Sequence, residues 1–156
     1  MKKSNAIRLL EAHKILYDTV EYDANMEVDG VEIAKQSNLP LESVYKTLVA
    51  VGKSGNHFVF VIPVAQELDL KKAAKAVGEK SVQMIHQKEL LGLTGYIRGG
   101  VSPVGMKKLF PTIFQQEAEE LEWIYVSGGQ KGLQMKLSPK DLIEMIHGRY
   151  FDVIKE

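Results

Sequence analysis

Val44 to Pro63 reads V-Y-K-T-L-V-A-V-G-K-S-G-N-H-F-V-F-V-I-P, and the architecture is decided here. Two runs rich in β-branched and aromatic residues, Tyr45 to Gly52 and His57 to Pro63, flank the polar K-S-G-N, which predicts an antiparallel hairpin. In the first run Lys46 alternates with Leu48 and Ala50, so a cation falls on an apolar face. A lysine on a half-buried strand loses hydration that favours its charged form. It therefore either carries its ammonium to water along its stem or faces an anionic partner or ligand.

On the N-terminal side of this hairpin, Ser4 is placed to cap a helix over A-I-R-L-L-E-A-H, with Ala6, Ile7 and Leu10 as its inner stripe. A strand fits Leu16 to Tyr22. Asp29-Gly30 then turns into V-E-I-A-K-Q, a second short helix ended by Asn38 and Pro40. On the C-terminal side, Asp69 or a neighbour caps L-K-K-A-A-K-A-V, with Gly78 as its stop, and Ser81 to Met84 makes a brief strand. A helical turn spans Lys88 to Leu93, and short strands fit Thr112 to Gln115, Trp123 to Val126 and Leu133 to Leu137. Ser138-Pro139 opens a last helix over K-D-L-I-E-M-I-H, ended by Gly148. Intermixed helices and short strands predict an α/β (mixed α+β) chain: a compact, curled mixed sheet with helices outside it. No linker, repeat or low-complexity segment interrupts residues 1–156, so a single domain is expected.

Composition narrows the chemistry. The chain has no cysteine, which removes disulfides, thiolate metal sites and a cysteine nucleophile. His13, His57, His86 and His147 lie far apart without ligand spacing, so no metal is expected. Lys and Arg number 20 and Asp and Glu 20, so net charge gives no general argument for nucleic acid. Lys71, Lys72 and Lys75, then Arg98, Lys107 and Lys108, then Lys131 and Lys136 are grouped well enough to make a local basic patch, or are ordinary solvated lysines. Arg8 and Glu11 interrupt the first apolar residues and no segment reaches the length of a membrane span, so a soluble cytoplasmic protein with no membrane partner is expected.

The segment T-G-Y-I-R-G-G-V-S-P-V-G, residues 94–105, holds four glycines and a proline. Such a stretch either lets backbone N–H groups approach a ligand closely or is a turn shaped by chain geometry alone. Gly99 and Gly100 are the candidates for amide donors, with Ser102 adding a hydroxyl and Pro103 stiffening the loop. The pattern is neither a phosphate-binding G-x-x-x-x-G-K-[ST] nor a dinucleotide G-x-G-x-x-G, so no nucleotide cofactor is indicated. Ser127-Gly128-Gly129 makes a similar turn, and Tyr22 ends the early strand where its phenol lines a pocket or rests at a rim. No Ser-His-Asp set and no paired carboxylates stand out.

Read together, V-Y-K-T-L-V, I-P-V-A-Q-E-L-D-L-K-K-A-A-K-A-V-G, T-G-Y-I-R-G-G-V-S-P-V-G-M-K-K and I-Y-V-S-G-G-Q-K-G-L closely resemble the YbaK/EbsC family over nearly the whole chain. Its best-known members are Cys-tRNA(Pro)/Cys-tRNA(Cys) deacylases, relatives of the editing domain of bacterial prolyl-tRNA synthetase. The resemblance implies a barrel-like sheet with a pocket for the aminoacylated end of tRNA, and no cofactor. It makes Lys46, Gly99 and Gly100 the candidate catalytic residues, and Tyr22, Thr47, Ser102, Pro103, Gly128 and Gln134 the candidate substrate-binding residues. One position departs: where several deacylases have G-L-D, this chain has Gly132-Leu133-Gln134, so an amide stands where a pocket carboxylate is expected.

The implied activity is trans-editing of Cys-tRNA(Pro), extending to Cys-tRNA(Cys), with the tRNA(Pro) acceptor end and prolyl-tRNA synthetase as partners. An aminoacyl ester is already reactive, so positioning and oxyanion stabilisation can suffice without a protein nucleophile. The family proposal that the substrate's own thiol attacks its ester would make the reaction lyase-like. The alternatives are a weakly active or non-catalytic module binding tRNA ends or a partner protein, and a deacylase of Ala-tRNA(Pro).

Overall fold

The computed structural model describes residues 3–24 and 29–156. Helix α1 (Asn5–Ala12) starts at Ser4, whose hydroxyl accepts from the Ile7 N–H at 3.1 Å, and buries Ala6, Ile7 and Leu10. Strand β1 (Tyr17–Glu21) is shorter than the sequence predicts, because Leu16 is 72% exposed and lies outside the ladder. Helix α2 (Gly30–Gln36) is capped by Asp29, which accepts from Glu32 N–H, and Asn38 takes the left-handed conformation (φ 55) just beyond its end.

The expected hairpin pairs β2 (Tyr45–Gly52) with β3 (His57–Pro63) in register from Tyr45 opposite Pro63 to Val51 opposite His57. Helix α3 (Leu70–Val77) carries its cap at Asp69 and stops at left-handed Gly78 (φ 73), and β4 (Val82–Met84) returns to pair with β2. Helix α4 (Leu90–Thr94), strand β5 (Thr112–Gln115), strand β6 (Ile124–Ser127), strand β7 (Leu133–Leu137), helix α5 (Pro139–Ile146) and strand β8 (Arg149–Phe151) complete the order. Strand β6 sits one residue later than expected, and β8 follows α5 directly, with His147 (φ 56) making the reversal. Gly148 is there for space, since a Cβ would lie 3.0 Å from Ile143 Cδ1 and 3.1 Å from Phe114 Cε1.

The strands form two sheets, β1-β7-β6 and β4-β2-β3-β5-β8, and do not close into a barrel. The reason is in the joint: among the described residues the two sheets meet at an isolated parallel bridge from Val44, just ahead of β2, to Tyr125 of β6, in place of a continuous ladder. Strands β3, β5 and β8 run parallel, so their pairing depends on long connections through α3, α4 and α5.

Three apolar clusters hold these layers. Tyr45, Val49, Val59 and Val61 on one face of the hairpin pack with Ile124, Val126, Leu133 and Met135 of the smaller sheet. On the other face Ala50, Phe58, Phe60 and Ile62 meet Ala73, Ala74 and Ala76 of α3, whose methyl-sized side chains let the helix lie close. Burying one ring such as Phe60 contributes roughly 1.5–3 kcal/mol. The third cluster joins Ala34 of α2, Val44, Val64 and Tyr125.

Candidate functional site

Strand periodicity places the site. Val44, Lys46, Leu48 and Ala50 leave one face of β2, and Lys46 lies opposite Ile62 of β3. Its side chain is half-buried, and burial holds its pKa below the ordinary 10.5, while the charges of Glu67 and Asp29 act in the opposite direction. Among the described residues Lys46 has no ion pair within 4.0 Å; Glu67 is engaged by Lys155 at 3.2 Å instead. Thr47 leaves the opposite face of β2, away from Lys46, which corrects its placement beside the substrate; its hydroxyl oxygen is buried with no hydrogen-bond partner among the described residues.

On the smaller sheet Gln134 pairs with Val20 on one side and Ser127 on the other, so these three side chains share a face. Tyr125, two residues before Ser127, shares it too and packs with Val44 and α2. Gln134 is 6% exposed, and its Oε1 has no hydrogen-bond partner among the described residues. An unpaired buried carbonyl costs about 1–3 kcal/mol, and one way to recover that cost is a ligand donor. Tyr22 is half-buried just beyond β1, and its N–H donates to the Gly132 carbonyl at 2.9 Å. By the same alternation it follows Val20 on the Gln134 face.

The two glycine-rich loops lie against each other. A Cβ on Gly100 would be 3.0 Å from Gln130 Cα, and one on Gly99 would be 3.2 Å from Lys131 Cε. Gly99 also has φ 86, a region costly for residues with a Cβ. The amides differ from the simple expectation of two free donors. Gly100 N–H is already donated to the Ile97 carbonyl at 2.9 Å, which corrects its placement as an oxyanion donor, whereas Gly99 N–H has no partner among the described residues. Ser102 is fully buried, and its hydroxyl accepts from Val104 N–H at 3.2 Å, so it braces the loop from within. Pro103 and Val104 line an apolar cavity of about 170 Å³ with Leu9, Phe110 and Met145. Gly128 N–H closes the β6–β7 turn by donating to the Leu133 carbonyl at 2.9 Å.

Residues that sequence reading did not assign to the site hold these loops. Ser4 donates to the Gly128 carbonyl, and Asn5 donates to the Gly105 carbonyl at 3.1 Å, so the start of α1 ties down both loops. Tyr96 donates its hydroxyl to the Val104 carbonyl, and burial pushes its pKa up to about 12. The capping signature of Ser4 was visible, but its second bond spans 124 residues and has no local signal. Among the described residues no group of three or more His, Asp or Glu converges as a metal site.

The model of the aminoacyl-tRNA editing domain matches residues 28–145, which include every strand from β2 to β7 and the loops just described. The chain belongs to the aminoacyl-tRNA editing domain family. It is 42% identical over 153 residues to EbsC of Enterococcus faecalis, a protein provisionally assigned as a Cys-tRNA(Pro)/Cys-tRNA(Cys) deacylase; the alignment covers 97% of this chain and 93% of that one. A proline–tRNA ligase of Thermosipho africanus is 33% identical over 79 residues, 50% of this chain and 14% of the ligase. Among solved structures, a provisionally assigned trans-editing enzyme for prolyl tRNA synthetase superposes with a TM-score of 0.84 at 25% identity, covering 100% of both chains. Membership of an editing family fixes the reaction class as deacylation of aminoacyl-tRNA. No helix among the described residues is long and apolar enough to cross a membrane.

Proposed function

We propose that this protein removes cysteine from Cys-tRNA(Pro) in trans, and also accepts Cys-tRNA(Cys), with Lys46 as its central catalytic cation. The observation that carries the reading is a desolvated lysine on the same side as the buried carbonyl of Gln134, neither of them with a partner among the described residues. A substrate phosphate or a developing oxyanion is the counter-charge such a lysine lacks. Gly99 N–H serves as oxyanion donor, and Gln134 Oε1 accepts from the substrate's ammonium or thiol. Tyr22 flanks the bound aminoacyl adenosine and Gly100, Ser102, Pro103 and Gly128 shape its walls, while Thr47, on the opposite face of β2, supports the strand from behind without touching the substrate.

In the chemical step the substrate's thiolate sulfur attacks the ester carbonyl carbon. A carbon–sulfur bond forms, the carbon–oxygen bond to the terminal ribose breaks, and the proton lost by the thiol ends on the released ribose hydroxyl. Water then opens the cyclic thioester to free cysteine. A thiol of pKa near 8.5 is partly ionised at neutral pH, and the Lys46 charge increases that fraction. Alanyl and prolyl esters have no such nucleophile, which supplies selectivity that side-chain size alone, at about 1–3 kcal/mol per methylene, does not.

The acceptor end of tRNA(Pro) is the substrate contact, and a complex with prolyl-tRNA synthetase supplies the choice of tRNA. All of residues 1–156 act as one domain in the cytoplasm. The test is a panel of Cys-, Ala- and Pro-charged tRNA(Pro): loss of cysteine alone supports the reading, and loss of alanine alone makes the protein an Ala-tRNA(Pro) deacylase. A second reading, a binding module, is favoured by Gln134, because an amide cannot carry the charge of the acid common at that position. It predicts binding of a non-hydrolysable aminoacyl-tRNA analogue with no cleavage of the ester.

A further inference from the structure

The eight cations grouped in the sequence separate into different settings. Lys72 is held by Asp152 at 3.0 Å and by the Ile154 carbonyl at 2.9 Å, Lys136 lies 5.4 Å from the centre of the Trp123 ring, and Lys108 lies 6.0 Å from that of Phe110. Arg98, Lys107 and Lys131 are exposed and have no carboxylate within 4.0 Å among the described residues. Among the described residues the Arg98 guanidinium donates to a neutral amide oxygen, that of Gln87, at 3.3 Å.

Both lysine stems run across left-handed glycines of one loop. A Cβ on Gly95 (φ 84) would lie 3.3 Å from Lys107 Cγ and 3.6 Å from its Cε. A Cβ on Gly99 (φ 86) would lie 3.2 Å from Lys131 Cε and 3.4 Å from its Cγ. The missing side chains thus let two lysine stems, from segments far apart in sequence, lie across the loop that holds the Gly99 N–H. Ile97, 53% exposed in the same loop, adds an apolar surface of the kind an unstacked base uses.

We propose that Lys107 and Lys131, with Arg98 beside them, form a phosphate clamp for the single-stranded 3′ end of an RNA at the rim of the 95–105 loop. The clamp rests on the proposed reading of the site as one that receives a tRNA end. Unpaired cations gathered over one loop release counterions when they meet phosphates, so each contact steepens the salt dependence of binding. In a chain of zero net charge this local group, and no overall field, draws the RNA to the site.

The experiment is the salt dependence of binding, by fluorescence anisotropy, of a 5′-labelled RNA minihelix ending in single-stranded CCA. The double variant Lys107→Gln/Lys131→Gln should lower the slope of log K against log salt by roughly 1.4–1.8 and weaken low-salt binding about tenfold. The variant Lys71→Gln/Lys75→Gln on α3 should match the wild type. An unchanged slope in the loop variant, an equal loss in the α3 variant, or a wild-type protein that does not bind the minihelix overturns the clamp. Binding is read without ester cleavage, so lysine-dependent binding by a protein that deacylates nothing would uphold the clamp and overturn the proposed activity.

Discussion

Val44 ahead of β2 and Tyr125 of β6 form a parallel bridge, and this contact sets which side chains share the candidate site. Both are buried in one cluster with Ala34 and Val64. Two residues further along each strand, the same alternation brings Lys46 and Ser127 to that side, and Ser127 pairs with Gln134. The two sheets therefore contribute the cation and the amide from different parts of the chain without closing into a barrel.

Gln134 separates stability from activity. Replacing it with Leu removes a buried carbonyl that has no partner among the described residues, so the folded state should be unchanged or more stable by up to about 1 kcal/mol. Deacylation should fall about tenfold or more, the scale of one lost hydrogen bond to substrate. Chemical denaturation and single-turnover rates on the same preparation check both halves. Gln134→Asp should retain activity; its appearance only in that variant would favour the binding module.

Gly99 should tolerate no side chain. Gly99→Ala incurs the left-handed backbone penalty of about 1–2 kcal/mol and sets a Cβ 3.2 Å from Lys131 Cε. The expected result is a deacylation rate reduced more than stability, since the loop moves while the core clusters stay. Thermal unfolding beside kinetics distinguishes this from general unfolding.

Ser4→Ala removes a helix cap and a tie to the Gly128 carbonyl in one step. A loss of about 1–2 kcal/mol is expected, at the upper end for a cap. Hydrogen exchange should rise at the β6–β7 turn as well as in α1. Faster exchange in α1 alone would mean that the Gly128 bond contributes nothing.

Lys46 predicts a pH effect with a definite sign. Its pKa is lowered in the folded state by burial, so the unfolded chain holds that proton more tightly and stability rises with pH as the group loses its charge below 10.5. Lys46→Met should lack this alkaline gain and be at least as stable as the wild type at neutral pH. Denaturation midpoints across the alkaline range measure it; a wild type that loses stability relative to Lys46→Met over that range would contradict the assigned desolvation.

The hairpin, the helix caps at Ser4 and Asp69 and the stop at Gly78 were legible in the sequence because each depends on residues a few positions apart. Strand β8 was not, since Arg149 to Phe151 acquires its partner from β5 across a parallel pairing that local pattern does not encode. The glycine loop was legible as a loop, and its glycines as close-approach points. The use of Gly100 N–H by Ile97 and the internal role of Ser102 depend on how the loop folds back on itself. Lys46 was conspicuous because a charge on an apolar strand conflicts with its surroundings, whereas Lys107 and Lys131 look like any surface lysines until Gly95 and Gly99 are seen beneath them.

The most direct test of the account is the single-turnover rate of Cys-tRNA(Pro) deacylation by the wild type and by Lys46→Ala, with circular dichroism on both. The account predicts rapid loss of cysteine by the wild type and a rate at the uncatalysed background for a folded Lys46→Ala. A folded alanine variant that deacylates as fast as the wild type would contradict it.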